Sequence, residues 1–158
     1  MRVWLLFLPL LVGCSPSTPA QIYLPNHERT PGAIDPRVTQ ENLQATVCAA
    51  GWTKTIRPRS SYTEKLKKRQ MRELGLSGMP QDYREDNRIP LCAGGHPTDP
   101  HNLWPQPVSG KWTDKVKDQL EVSVCRQVCK GDITLKEGQA IFFAPDWTKA
   151  YLQYFGMK

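Results

Sequence analysis

The chain has 158 residues, with 21 Lys+Arg against 15 Asp+Glu and a formal charge of +6. That length suits one compact domain and excludes two full-size ones. A hydrophobic fraction of 39% beside 23% charged residues excludes both a bundle of membrane spans and a highly charged disordered polymer.

At the amino terminus Arg2 precedes an unbroken apolar run from Val3 to Val12. As a helix the run spans about 15 Å against a hydrocarbon core of roughly 30 Å, so it suits an export signal and not a membrane span. Leu11-Val12-Gly13-Cys14 resembles the bacterial lipobox, in which the cysteine thiol receives diacylglycerol. Residues 1–13 then read as a lipoprotein signal peptide, and acylated Cys14 as the attachment to the lipid bilayer. Several acyl chains anchor firmly, because each buried CH₂ contributes about 0.8 kcal/mol. Ser15, which is not Asp, directs the expectation to the outer membrane of a bacterial cell envelope. An ordinary cleaved signal or a buried N-terminal helix is the alternative. Pro16, Pro19, Pro25, Pro31 and Pro36 make residues 14–36 a semi-extended tether that is not expected to pack, which leaves 37–158 as the folded domain.

Within that domain a short helix is expected from a Thr39 cap to near Thr46, and Trp52 to Pro58 reads as extended. Ser61-Tyr62-Thr63-Glu64 has the pattern of a capping box opening a helix that runs through Leu74 and stops at Gly75. Between Lys54 and Arg72 the basic residues Lys54, Arg57, Arg59, Lys65, Lys67, Lys68, Arg69 and Arg72 face Glu64 alone. Segregated charge of this kind suits a phosphate-facing surface, although a solvated helix face or attraction to anionic lipid headgroups would give the same pattern. Arg88-Ile89-Pro90-Leu91-Cys92 is strand-like, but its proline confines it to an edge or a bulge of a short hairpin. Pro97-Thr98-Asp99-Pro100 is turn chemistry. From Thr113 an apolar residue recurs every four positions (Val116, Leu120, Val124, Val128) until Gly131 closes the helix. Thr134-Leu135-Lys136-Glu137 opens a helix broken before Pro145, and Asp146-Trp147 begins a last one ending near Phe155. The fold class is α+β, with a short β-hairpin and several packed helices.

With Cys14 committed to lipid, Cys48, Cys92, Cys125 and Cys129 remain. An even number in an exported protein favours two disulfides, with three pairings open. Cys125 and Cys129 share one face of the long helix, so each should reach another segment instead of its neighbour. Zinc binding needs closely spaced thiolates, and Cys48 and Cys92 stand alone.

The chemistry is concentrated in Tyr83-Arg84-Glu85-Asp86-Asn87-Arg88-Ile89-Pro90-Leu91-Cys92-Ala93-Gly94-Gly95 and the later Asn102-Leu103-Trp104-Pro105-Gln106. This block resembles the HNH (His-Me finger, ββα-metal) endonucleases, and within them small exported bacterial proteins reading Asp-His, Ile/Leu-Pro-Leu, Gly-Gly and Asn-Leu-Trp-Pro. Thr53 to Pro58, Tyr62-Thr63, Arg126 to Cys129 and Asp146-Trp147 extend the likeness over roughly residues 35–150. The resemblance implies a ββα-metal core and one divalent cation, Mg²⁺ or a similar ion. It also implies phosphodiester hydrolysis of DNA or RNA with little sequence preference.

Carried over by position, Asp86 is a metal ligand and Asn102 the central Asn of the site. Asp118 on the long helix is the chosen second ligand, with Asp114 and Glu121 behind it. The backbone-binding residues are Lys54, Arg57, Arg59, Lys65, Lys68, Arg69 and Arg72. The family usually has counterparts of Cys48 and Cys129, which suggests that pair as one disulfide and Cys92–Cys125 as the other.

One position departs from the family pattern: Asn87 stands where the general-base histidine belongs. A carboxamide orients a water but accepts no proton near neutral pH. Losing such a base costs about 3–5 kcal/mol of barrier unless another group replaces it. His101, beside Asn102, and His96, after the glycine pair, are the nearest substitutes in sequence. Three readings follow: a lipid-anchored metal-dependent nuclease, a catalytically inactive pseudonuclease that binds nucleic acid or a protein, and a structural lipoprotein at the membrane surface.

Overall fold

Two strands and the helix after them organise the molecule, whose computed structural model describes residues 23–156. Helices α1 (Trp52–Ile56) and α2 (Ser60–Glu73) precede β1 (Tyr83–Asn87) and β2 (Leu103–Pro107). Helices α3 (Asp114–Lys130), α4 (Leu135–Phe143) and α5 (Trp147–Phe155) follow, and a 3₁₀ turn covers Gln40–Ala45. The mixture is α+β, as expected, with one two-stranded antiparallel sheet among the described residues. The strands pair from Tyr83 opposite Pro107 to Asn87 opposite Leu103. In so small a sheet every strand has an open edge, so Pro105 and Pro107 cost β2 no essential hydrogen bond.

Segment 88–102 joins the strands, and Asn102 holds it together. Its Oδ1 accepts from the Ile89 N–H at 2.9 Å, and its Nδ2 donates to the carbonyls of Ile89 and His96 at 3.0 Å each. Gly95 is dictated by the same fold-back, because a Cβ there would lie 1.8 Å from the Ile89 carbonyl oxygen. Helix α3 starts on Thr113, whose side chain accepts from the Val116 N–H, and ends at Gly131 in the left-handed region. Its residues Leu120, Val124 and Val128 are buried against Ile89, Phe142 and Trp147. Cys48 is bonded to Cys129 and Cys92 to Cys125, so the two cysteines of α3 each reach a different segment.

Four expectations need correction. Trp52–Ile56 is helical, not extended: Gly51, at φ 82°, turns the chain, and the half-buried Trp52 packs on the core. Helix α2 starts at Ser60 with no side-chain cap at Arg59, and Glu64 pairs with Lys67 at 2.9 Å instead of closing a capping box. The strand lies just before Arg88–Cys92, and Leu91–Ala93 forms a 3₁₀ turn. Arg88 is 1% exposed and its guanidinium donates to the carbonyls of Thr30, Phe142 and Phe143, while its backbone N–H still reaches the Asn102 carbonyl at 2.7 Å. Finally, the described part of the tether packs. Trp147 Nε1 donates to the Tyr23 carbonyl at 3.0 Å, Thr30 and Asp35 are buried, and Ile34 bridges Gly95. The domain therefore takes in residues upstream of 37. Residues 1–22, including the signal and Cys14, lie outside the described residues, among which no helix is long and apolar enough to cross a membrane.

Candidate functional site

Side chains alternate along β1, so Arg84 and Asp86 face α3 while Glu85 and Asn87 take the side of α2. On α3, Asp114, Lys117, Asp118 and Glu121 recur at i, i+3, i+4 and i+7, which places them on one helical face. The two rows meet at the junction of sheet and helix. Asp86, Asp118 and Glu121 each offer one carboxylate oxygen, and these oxygens lie within 4.8 Å of one another. Asp118 was the chosen partner of Asp86, and Glu121 joins them. Asp114 does not: it is 2% exposed and pairs with Arg84 Nε at 3.1 Å.

Lys117, 1% exposed, lies behind the acids. Its Nζ donates to Asp86 Oδ2 at 2.8 Å, to the Asn87 carbonyl at 2.6 Å and to Glu121 Oε1. Arg84 Nη1 holds Asp118 Oδ2 at 3.3 Å. With Asp114 counted, four carboxylates meet two cations, and negative charge is left over. Burial pushes the Glu121 carboxyl above its ordinary range, with Asp86 and Asp118 adding to the shift against the pull of Lys117. Asp118 is raised by burial and by Asp86. Burial alone would lower the Lys117 ammonium, but Asp86 and Glu121 override it and hold it above the usual lysine range.

These acids form one wall of a cleft of about 730 Å³. Thr53, Arg57, Ser60 and Thr63 line the other side, with Asn87 and Cys92 between the walls. A divalent cation fits the donor set: three hard carboxylate oxygens, residual negative charge and a solvent-open position. Each acid has one oxygen held by Lys117 or Arg84, and its other oxygen makes no hydrogen bond among the described residues.

The remaining expected site residues are dispersed. Asn87 lines the cleft, and its Nδ2 reaches the His96 carbonyl at 3.4 Å. Asn102 is fully buried, with its carboxamide engaged by the 88–102 segment. It therefore bears on the site through the backbone that it holds and does not line the cleft. His101 is not brought to Asp86 either: its ring is exposed, bonded to Asp99 at 2.9 Å, and belongs to a separate hollow beside Arg69 and Gln70. His96 uses Nδ1 to accept from the backbone of Thr98 and Asp99. Neither histidine lines the cleft.

Of the basic residues, Arg57 is on the cleft wall. Lys65, Lys68, Arg69 and Arg72 form an exposed ridge along α2, opposite buried Leu66, Gln70 and Met71, while Lys54 and Arg59 are exposed near α1 and the start of α2. Arg69 also lies 3.7 Å from Glu73. The residues that sequence reasoning missed are Arg84 and Lys117, although the i, i+3, i+4, i+7 spacing that includes Lys117 was readable. Comparison with known proteins finds no matching family model, no matching curated protein and no matching solved structure.

Proposed function

We propose that this chain is a domain of the HNH, ββα-metal type that binds the phosphodiester backbone of DNA or RNA over a divalent-cation site, with hydrolysis held back by Asn87. One observation carries the reading: three carboxylates from β1 and α3 converge on one wall of a cleft whose other side carries Arg57 and the hydroxyls of Thr53, Ser60 and Thr63. The order strand, strand, helix around that cluster supports the ββα assignment.

Asp86, Asp118 and Glu121 would hold Mg²⁺ or a similar ion, which supplies charge stabilisation at a phosphoryl oxygen when bound. Arg57, with the hydroxyls of Ser60 and Thr63, holds the neighbouring backbone phosphate, and the α2 ridge adds attraction without reading sequence. On this reading Asn87 orients a water by hydrogen bonding but takes no proton from it. The parent chain then cuts about 10²–10⁴-fold more slowly than a variant with a base at this position. The lipobox-like residues 11–14 support attachment to an envelope membrane through acylated Cys14.

Binding of a labelled duplex by the mature protein tests this, measured across a salt series with Mg²⁺ or with EDTA and beside vesicles of anionic lipid. Affinity that falls with salt, and that Asp86→Ala makes indifferent to Mg²⁺, supports the reading. Binding to the vesicles with none to the duplex at any salt would favour the membrane-surface alternative.

A further inference from the structure

A lysine this deeply buried needs partners for its whole ammonium group. Lys117 has them, since its three N–H donors meet three acceptors: Asp86 Oδ2, the Asn87 carbonyl and Glu121 Oε1. The Phe142 ring lies 5.6 Å from Nζ. An ammonium saturated in this way is not free to swing into the cleft and meet a phosphate. Its contacts instead join the end of β1 to α3, the two elements that supply the acids.

We infer that Lys117 is the positioning residue of the cation site, fixing Asp86 and Glu121 through one oxygen each so that the other oxygen is the donor offered to the cleft. This rests on the cation-site reading above. The device follows a general pattern of metal centres, in which groups behind the ligands orient them by hydrogen bonding. Burying such an ion cluster is a poor way to gain stability alone, because apolar side chains of similar volume often serve as well or better. Its placement directly behind two acids that line the cleft gives it a use there. Arg84 holds Asp118 in the same manner from a more exposed position.

The sign of one effect separates positioning from simple charge. If Lys117 acted only as a positive charge, its removal would leave the site more negative and strengthen divalent binding. If it positions the acids, its removal weakens binding. Mn²⁺ titration by calorimetry, with far-UV circular dichroism to confirm folding, measures the difference on the full mature chain. Lys117→Met is expected to weaken Mn²⁺ binding by about 10–100-fold, the range found for residues behind metal ligands.

Lys117→Arg keeps the charge but not the compact three-donor geometry, and it is expected to leave binding weakened. Because Lys117→Met strands an acid and could impair folding, the same substitution is also made in a Glu121→Gln background, where the net charge is preserved. There the double variant is expected to bind more weakly than Glu121→Gln alone, since Asp86 still depends on Lys117. Equal or tighter binding in both backgrounds, or full rescue by arginine, overturns the positioning role while leaving the cation site standing. Absence of Mn²⁺ binding by the parent overturns both.

Discussion

Cys92, which lines the cleft, is bonded to Cys125, which sits one helical turn beyond Glu121 on α3. The bond fastens the segment that leaves β1 to the helix carrying two of the three acids. Replacing both cysteines by alanine is expected to lower stability by about 2–4 kcal/mol in urea denaturation. It should also weaken Mn²⁺ binding. The matching pair of changes at Cys48 and Cys129, which closes a longer loop across 81 residues, should cost at least as much stability without that loss of binding. Equal effects of the two pairs on Mn²⁺ would contradict a special role for Cys92–Cys125.

Asn102 satisfies both backbone groups of Ile89 and also the His96 carbonyl. Asn102→Ala would leave both Ile89 backbone groups without this partner, at about 1–3 kcal/mol for each group stranded, while the His96 carbonyl would keep Asn87 Nδ2. Thermal or urea denaturation should show a loss of about 3 kcal/mol or more. A variant of unchanged stability that only loses function would give Asn102 a direct part in the chemistry instead of a structural one.

Glu85 is the titrating weak point of the fold. Its carboxyl oxygens are buried without a hydrogen-bond partner, and burial, with Asp86 adding, pushes its pKa from 4.5 up to about 8. The folded state therefore holds a proton that the unfolded chain releases near pH 4.5. The stability this provides is complete below that point and is lost as pH rises through about 8. Glu85→Gln keeps the shape and removes the charge. Its melting temperature should match the parent near pH 4 and exceed it by several degrees at pH 8.5. Parallel pH profiles for the two proteins would show that Glu85 is ionised in the fold without cost.

Arg57 stands on the cleft wall, whereas Lys65 and Lys68 lie on the exposed ridge of α2. Arg57→Ala should weaken duplex binding for every sequence alike and lower the slope of log affinity against log salt by about 1. A change confined to particular sequences would mean base reading instead of backbone contact.

Much of the frame was legible because local signals agreed with burial. Thr113 and Gly131 bracket α3 where apolar spacing and caps coincide, and Thr134 caps α4 as its capping box implies. Segments failed where tertiary contacts outweighed local pattern. Arg88 looks like a strand residue, yet its guanidinium is buried against the carbonyls at the end of α4. Pro25 to Pro36 looks like a tether, yet Thr30 and Asp35 are buried.

The site was legible in part for the same reason. Asp86 and Asp118 are visible as acids in a motif and on a helix. The convergence of Glu121, the saturation of Lys117 and the seclusion of Asn102 depend on how β1 meets α3, which spacing along one element does not encode.

On the proposed reading hydrolysis turns on Asn87, and Asn87→His tests it. The variant is incubated with supercoiled plasmid in Mg²⁺, beside the parent, Asn87→His/Asp86→Ala and an EDTA control. The expected result is nicking by Asn87→His at least 10²-fold faster than by the parent, abolished by EDTA and by the Asp86 change. A folded Asn87→His protein that binds the plasmid and leaves it intact would contradict the assignment of this cleft to phosphodiester chemistry.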